Sequence, residues 1–256
     1  TIHLHGLDVD QANDGVPGLS SVVPHGESFY YRFKAPHAGT YLYHCHVASP
    51  IHVQAGMYGL FIVREPNGLN FTWDGGYPYH REFAWLMSEV DTHWHTQSMI
   101  KHEYDTSKPL PKIPVYDPQY FLINGKSHSM IDSAKTEIRG FRNDDIYLRL
   151  ANIGNLANRV IFPSELDARI VSTDGRPIVP IEQSDSLEIY PGERYGVLIK
   201  SDTDFTDSIT TEFFSLNDYN TVTVQKVLVK ISGINSSQAI EKEKNSVPFW
   251  FENPVD

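Results

Sequence analysis

The sequence predicts an all-β protein built from two tandem Greek-key β-sandwich or barrel units. Three observations predict it. Short runs rich in β-branched and aromatic residues recur along the chain. Clusters of Gly, Pro, Asn and Asp separate them, among them "NDGVPG", "KAPHAG", "REPNG", "WDGGYP", "STDGRP" and "YPGERYG". No segment sustains a helical period. Many short strands with regular turn signals are the pattern of sandwiches and Greek-key barrels.

Taken in order, "IHLH" opens the first unit as a strand, followed by "ESFYYRFKA", "GTYLYHCHV" and "YGLFIVRE". This unit spans residues 1–68, and the polar stretch "EPNGLNFTWDGGYPYH" leads out of it. The second unit, 69–233, carries "DIYLRLANI", "RYGVLIKS" and "TVTVQKVLVKIS". It includes a connecting strap, 96–118, whose proline-rich "TSKPLPKIPVYDP" predicts an extended path. Residues 234–256 read as a tail or linker to a further domain. The two units share a strand rhythm, "GESFYYRFKAPHAGTYLYHCH" against "NDDIYLRLANIGNLANRVIF", but the second version has no histidine.

With 256 residues the chain is long enough for two real cores. Its 40% hydrophobic and 21% charged content is globular rather than disordered. The net charge of −11 argues against a nucleic-acid partner, which needs basic surface. No apolar run approaches the ~18 residues of a membrane helix. A single cysteine excludes an intrachain disulfide. The chain opens on "TIHLHG" without an initiator Met, and is expected to be a mature form or a fragment.

The chemistry concentrates in "TYLYHCHVASPIHVQAGM", residues 40–57. On a strand, side chains alternate, so His44 and His46 face one way and Cys45 the other. His3 and His5 likewise share a face. Two such strands side by side bring four imidazoles onto one surface, a costly arrangement unless they bind metal. Cys45, His52 and Met57 are the ligand types of a blue-copper centre: thiolate and imidazole in a plane, thioether weak and axial. One thiolate beside a thioether disfavours a closed zinc set. The bland readings are a small buried thiol and a core methionine. The joint pattern outweighs them.

At these residues the sequence resembles the multicopper oxidases, laccase-like enzymes of the cupredoxin superfamily related to copper nitrite reductases. "HLHGLDVDQANDGVPGLS" is similar to their H-x-H-G motif, and "GTYLYHCHVASPIHVQAGMYGLFIV" to their H-C-H…H…M motif. "YFLINGKS" and "IYPGERYGVLI" resemble the copper-free second domain of three-domain members. The resemblance implies two tandem cupredoxin-like domains. It implies Cys45, His52 and Met57 as type 1 copper ligands, His3 as a type 2 ligand, and His5, His44 and His46 as type 3 ligands. Cys45, His44 and His46 would form the electron route. A further type 1 histidine is expected one position before Thr1. O2 and a small reducing substrate, phenolic or a metal ion, are the implied partners, and an extracytoplasmic location is implied too. Half of a trinuclear site is present, so a third domain or a neighbouring subunit, in a homotrimer for example, is expected to complete it.

Three alternatives stand beside this reading: a nitrite reductase-like enzyme, a copper electron-transfer module, and a structural sandwich with vestigial motifs. His3 and His46, where the reductases differ, favour the oxidase. His93 and His95 read as surface or packing residues, with an auxiliary metal site as the alternative. Glu89 and Asp91 read as a solvated acidic face, with a bound cation as the alternative. His25, His37, His80 and His102 are expected to be exposed. Asp14 is either a group near the histidine cluster that helps proton delivery or only a turn former. "NFT" and "NSS" match a glycosylation sequon.

Overall fold

A computed structural model describes residues 1–96, 114–127 and 136–235. Most of the strap, the tail beyond 235, His102 and His128 lie outside the described residues. Within them the chain is all-β, as the sequence predicts, and its strands form three sheets. β1 (Ile2–His5), β2 (Gly39–Cys45) and β3 (Tyr58–Val63) form a three-stranded antiparallel sheet in that order. A one-and-a-half-turn helix, α1 (Ser49–Gln54), joins β2 to β3.

Two larger sheets form the rest. One contains β4 (Arg81–Val90), β5 (Tyr120–Ile123), β7 (Ile146–Asn152), β9 (Asp167–Thr173), β10 (Arg176–Gln183) and β12 (Arg194–Lys200), in the order β10-β9-β12-β7-β4-β5. The other contains β6 (Ile138–Arg142), β8 (Ala157–Ile161), β11 (Ser186–Ile189), β13 (Phe205–Phe214) and β14 (Thr221–Ile234), in the order β11-β8-β13-β14-β6. Their inner faces share one core that includes Trp85, Met87, Leu148, Leu150, Phe213 and Val227. Alternation along each strand puts these residues on the covered face.

The first sheet is apolar on both sides. Leu42 and Leu60, on one face, pack with Leu86 of β4 and Ala151 of β7. Leu4 and Tyr41, on the other, pack with Leu7, Tyr31, Phe33 and Ala35. A buried ion pair adds to the first contact. Arg149 of β7 is 1% exposed; it pairs with Glu82 of β4 and donates to Thr40 Oγ1 of β2 at 3.0 Å. Burial alone would raise the Glu82 carboxyl. The Arg149 and Arg64 guanidinia outweigh it and hold the carboxyl below the usual range.

Several expectations change. Residues 27–35 form no ladder. Tyr31, Phe33 and Ala35 do point inward, so the alternation is present, but their backbone pairs with no described strand. The polar stretch after residue 65 is more than a linker: Trp73, Tyr77 and Tyr79 pack on Tyr147, Val171 and Leu198. Asn70 and Thr72 of "NFT" are buried at 7% and 1%, which removes that sequon from the folded surface. His25 and His37 are exposed, whereas the half-buried His80 accepts from the Asp145 amide at 2.9 Å.

The solvated-face reading of Glu89 and Asp91 is overturned: they are 2% and 0% exposed. The reason is local. Asp91 accepts from the backbone amides of His93 and Asp117, both at 2.8 Å, and these donors hold its pKa down against burial. Glu89 Oε1 accepts from the amides of Asn155 and Leu156 and from the Tyr116 hydroxyl. Its Oε2 has no hydrogen-bond partner among the described residues. Burial therefore wins and pushes the Glu89 carboxyl above the ordinary range. A raised pKa means that the folded state holds this proton longer than the unfolded state does. The group costs stability as pH rises above the unfolded carboxylate value, and costs nothing below it. Glu89→Gln should thus melt higher than the parent at pH 8, and the difference should vanish near about pH 4. Thermal melts across that range check it; a variant that melts lower at pH 8 contradicts the assignment.

Candidate metal centre

The pairing of β1 with β2 builds the centre. Ile2 lies opposite Cys45, His3 opposite His44, Leu4 opposite Tyr43 and His5 opposite Leu42. His3, His5 and His44 therefore share the face of Leu42, the one that packs towards β4 and β7. Cys45 shares the opposite face with Tyr43 and Tyr41. His46 follows directly after β2, and its amide donates to the Thr1 carbonyl at 3.3 Å.

The imidazoles are in mutual contact. The His3 ring centroid lies 5.6, 5.3 and 5.4 Å from those of His5, His44 and His46. One ligand nitrogen from each of His3, His5 and His44 falls within 4.8 Å of the others. His44 and His46 stack at 5.9 Å. All four side chains are half-buried.

Hydrogen bonds select the tautomers. His3 Nδ1 lies 2.8 Å from the Asp14 carbonyl, and His44 Nδ1 lies 3.0 Å from the Cys45 carbonyl. A carbonyl oxygen can only accept, so each Nδ1 carries the proton and each Nε2 keeps its lone pair for a ligand. His5 Nδ1 stands 3.2 Å from His44 Nε2, where the two nitrogens can share a proton or a metal ion. Protonation of the ring is suppressed as well. Burial, then the Arg194 charge and the other imidazoles, lowers the His5 pKa to about 4. Burial chiefly, and then His3 and His46, lowers that of His44 against the pull of the Cys45 carbonyl. Neutral, converging, tautomer-locked imidazoles fit a copper site.

Behind the sheet, Cys45 is 3% exposed, and its Sγ lies 3.2 Å from His52 Nδ1 and 3.3 Å from the Val47 carbonyl. The loop after β2 makes this possible. Ala48 takes a left-handed conformation (φ 48°) and Pro50 sits in the first turn of α1, which brings His52 back over the thiol. The Met57 carbonyl accepts from the Cys45 amide at 2.9 Å, while the residue is 49% exposed. Thiol and imidazole are thus together, and methionine joins them through its backbone. His93 stands apart, bonded to Asp91 at 3.0 Å.

Asp14 forms a turn and lies beside the cluster. It ends a short 3-10 turn and presents its carbonyl to His3, with its carboxylate 3.5 Å from the same nitrogen. Two residues of the second unit, outside both histidine motifs, also line the centre: Gly192, where a Cβ would sit 3.0 Å from His5 Cε1, and Arg194. Both lie in "YPGERYG", which stood out as a turn signal but not as part of a site.

A family model described as multicopper oxidase matches residues 86–229, more than half the chain, and a second with the same description matches residues 1–68. The chain belongs to the multicopper oxidase family. It is 32% identical to an L-ascorbate oxidase of Nicotiana tabacum over 230 residues, covering 80% of this chain and 37% of that protein. It is 26% identical to Laccase-4 of Thanatephorus cucumeris, covering 78% and 38%. The chain spans little more than a third of the length of the curated relatives it matches. Among solved structures, the blue copper oxidase from Nitrosomonas europaea superposes with a TM-score of 0.65 at 27% identity, over 91% of this chain and 68% of that one. The multicopper oxidase mgLAC also gives 0.65, and at 23% identity it speaks for the fold alone. Copper is the metal that membership of this family implies.

One glycine tests how the turn at Asp14 supports His3. Gly15 has φ +81°, and a Cβ there would collide with the Ile2 carbonyl beside His3. Gly18 has φ +93° with open space around it. Gly18→Ala therefore carries backbone strain alone, about 1–2 kcal/mol. Gly15→Ala carries strain plus the collision, and should lower the urea midpoint clearly further. Equal midpoints would remove the turn from any role in placing His3.

Proposed function

We propose that this chain holds the type 1 copper ligands and half of the trinuclear site of a laccase-like multicopper oxidase. Cys45, His52 and Met57 are the type 1 ligands. His3 serves the type 2 position, and His5, His44 and His46 serve the type 3 pair. The observation that carries the reading is the alternation along β2. His44 and His46 flank Cys45 in sequence, yet their rings meet those of His3 and His5 on the face opposite the thiol.

Copper held in these two places would supply one-electron oxidation of a small phenolic or metal-ion substrate and four-electron reduction of O2 to water. The chain's own contribution is placement. Cys45 links covalently to both histidines through single peptide units, which gives electrons a short bonded route. His52 lies on the surface-facing helix α1, which suits it to receive them. The carbonyls of Asp14 and Cys45 hold Nδ1 of His3 and His44, which leaves each Nε2 directed at its neighbours in the cluster. The partial burial of His5 and His44 favours their neutral forms. An electron carrier has no use for four clustered imidazoles, which favours the oxidase over a transfer module. The relatives named as ascorbate oxidases and a laccase support a small reductant, and an extracytoplasmic setting belongs to the same reading. A further domain or a neighbouring subunit supplies the remaining imidazoles, because affinity depends on the number and preorganisation of ligands.

Two measurements test this. In a longer form carrying the flanking sequence, Cys45→Ser should abolish the blue absorption and substrate oxidation; a variant that stays blue refutes the thiolate assignment. Oxygen uptake with a phenolic donor should be small in the 256-residue chain and restored in the longer form. Full turnover by the monomeric 256-residue chain would refute completion of the site by a partner.

A further inference from the structure

We propose that Arg194 is a positioning residue of the histidine cluster: its guanidinium fixes the turn after β1, and with it the imidazole of His5. Arg194 opens β12 in the second unit and is 4% exposed. It reaches into the first unit at two points. Its Nε donates to the Thr40 carbonyl of β2 at 3.3 Å. Its Nη2 packs so closely on Gly6, the residue after His5, that a Cβ there would overlap it. Gly6 has φ +86°, so this turn suits glycine both for its conformation and for the arginine against it.

The same guanidinium holds the other wall of the His5 pocket. Nη1 donates to the Gly192 carbonyl at 2.7 Å, and Gly192 lies against the His5 ring. Asp174 anchors the arrangement. It meets Nη1 at 2.9 Å and accepts from the Arg194 amide at 3.1 Å, while its own amide donates to the Arg194 carbonyl at 2.8 Å. One planar fork thus ties the turn after β1, the start of β2 and the 190–193 turn around a single imidazole. A lysine ammonium, a point charge on a flexible stem, cannot make these contacts together.

The charge of Arg194 sharpens the argument. A cation beside a metal site repels the metal, so electrostatics alone predicts that its removal tightens copper binding. Positioning predicts the opposite, since loss of a group that orients a ligand typically weakens metal affinity about 10–100-fold. The sign of the change decides between them. The inference uses the proposed copper site only through its probe.

The test is a double-mutant cycle on the 256-residue chain in a Cys45→Ser background, which leaves the histidine cluster without the thiol site. Cu(II) affinity is measured by competition with a chromophoric chelator for the parent, Arg194→Gln, His5→Ala and the pair. Arg194→Gln should weaken binding at least about tenfold when His5 is present. It should change binding less than about twofold when His5 is alanine, because its effect passes through that residue. A general loss of structure would weaken both backgrounds equally and would overturn the proposal, as would tighter or unchanged binding. Asp174→Asn keeps the buried arginine, frees its anchor and should weaken binding in the same His5-dependent way if Arg194→Gln folds poorly. His3→Ala and His5→Ala that leave Cu(II) binding unaltered would refute the copper reading instead. Metal-free NMR of 13C-labelled histidine then decides on Arg194: Arg194→Gln should move the His5 Cε1–H signal most, and an unmoved His5 signal overturns the inference.

Discussion

The register of β1 against β2 is the constraint on which the rest of the structure depends. With His3 opposite His44, every imidazole of the cluster falls on one face and the thiol on the other. A slip of one residue would turn the β1 histidines towards the thiol face and Leu4 towards β4 and β7, burying imidazole in the core and exposing apolar surface to the cluster. The hydrophobic residues of both faces oppose that slip. Leu42 and Leu60 require one face, and Leu4 and Tyr41 the other. The apolar pattern that folds the sheet thus also aims its imidazoles.

The larger sheets take part in the centre. Two buried arginines of the second unit converge on Thr40, near the start of β2: Arg149 on its hydroxyl and Arg194 on its carbonyl. Each guanidinium is compensated by a carboxylate, Glu82 or Asp174, so the pairs stand close to neutral overall. Breaking the buried Arg149–Glu82 pair would strand a charge in low dielectric, a cost of about 3–5 kcal/mol, whereas the half-exposed Asp174 carboxylate leaves its pair screened by solvent. These contacts fix one end of a strand whose other end carries His44 and Cys45. Rigid support of this kind keeps a cluster of side chains convergent.

Much of the fold and of the centre was legible in the sequence because strand alternation is a local rule. His3, His5, His44 and His46 could be placed on a face from spacing alone, and Cys45 opposite them. The return of His52 to the thiol was carried by the motif and is explained by the turn at Ala48 and Pro50. What escaped the sequence depends on distant partners. "ESFYYRFKA" has strand composition, but no described strand lies beside it to form a ladder. Glu89 and Asp91 look like surface acids until the amides of Asn155, Leu156 and Asp117 close over them. Arg194 bonds to a residue 154 positions away, a separation that no local pattern encodes.

The most direct measurement is anomalous diffraction at the copper edge from copper-loaded crystals of the protein. The account predicts copper on both faces of the first sheet: one peak between Cys45 Sγ and His52 Nδ1, and density among the Nε2 atoms of His3 and His44 with His5 and His46 beside them. Copper confined to one face, or bound at exposed residues such as His25 and His37 while the β1–β2 face stays empty, would contradict it.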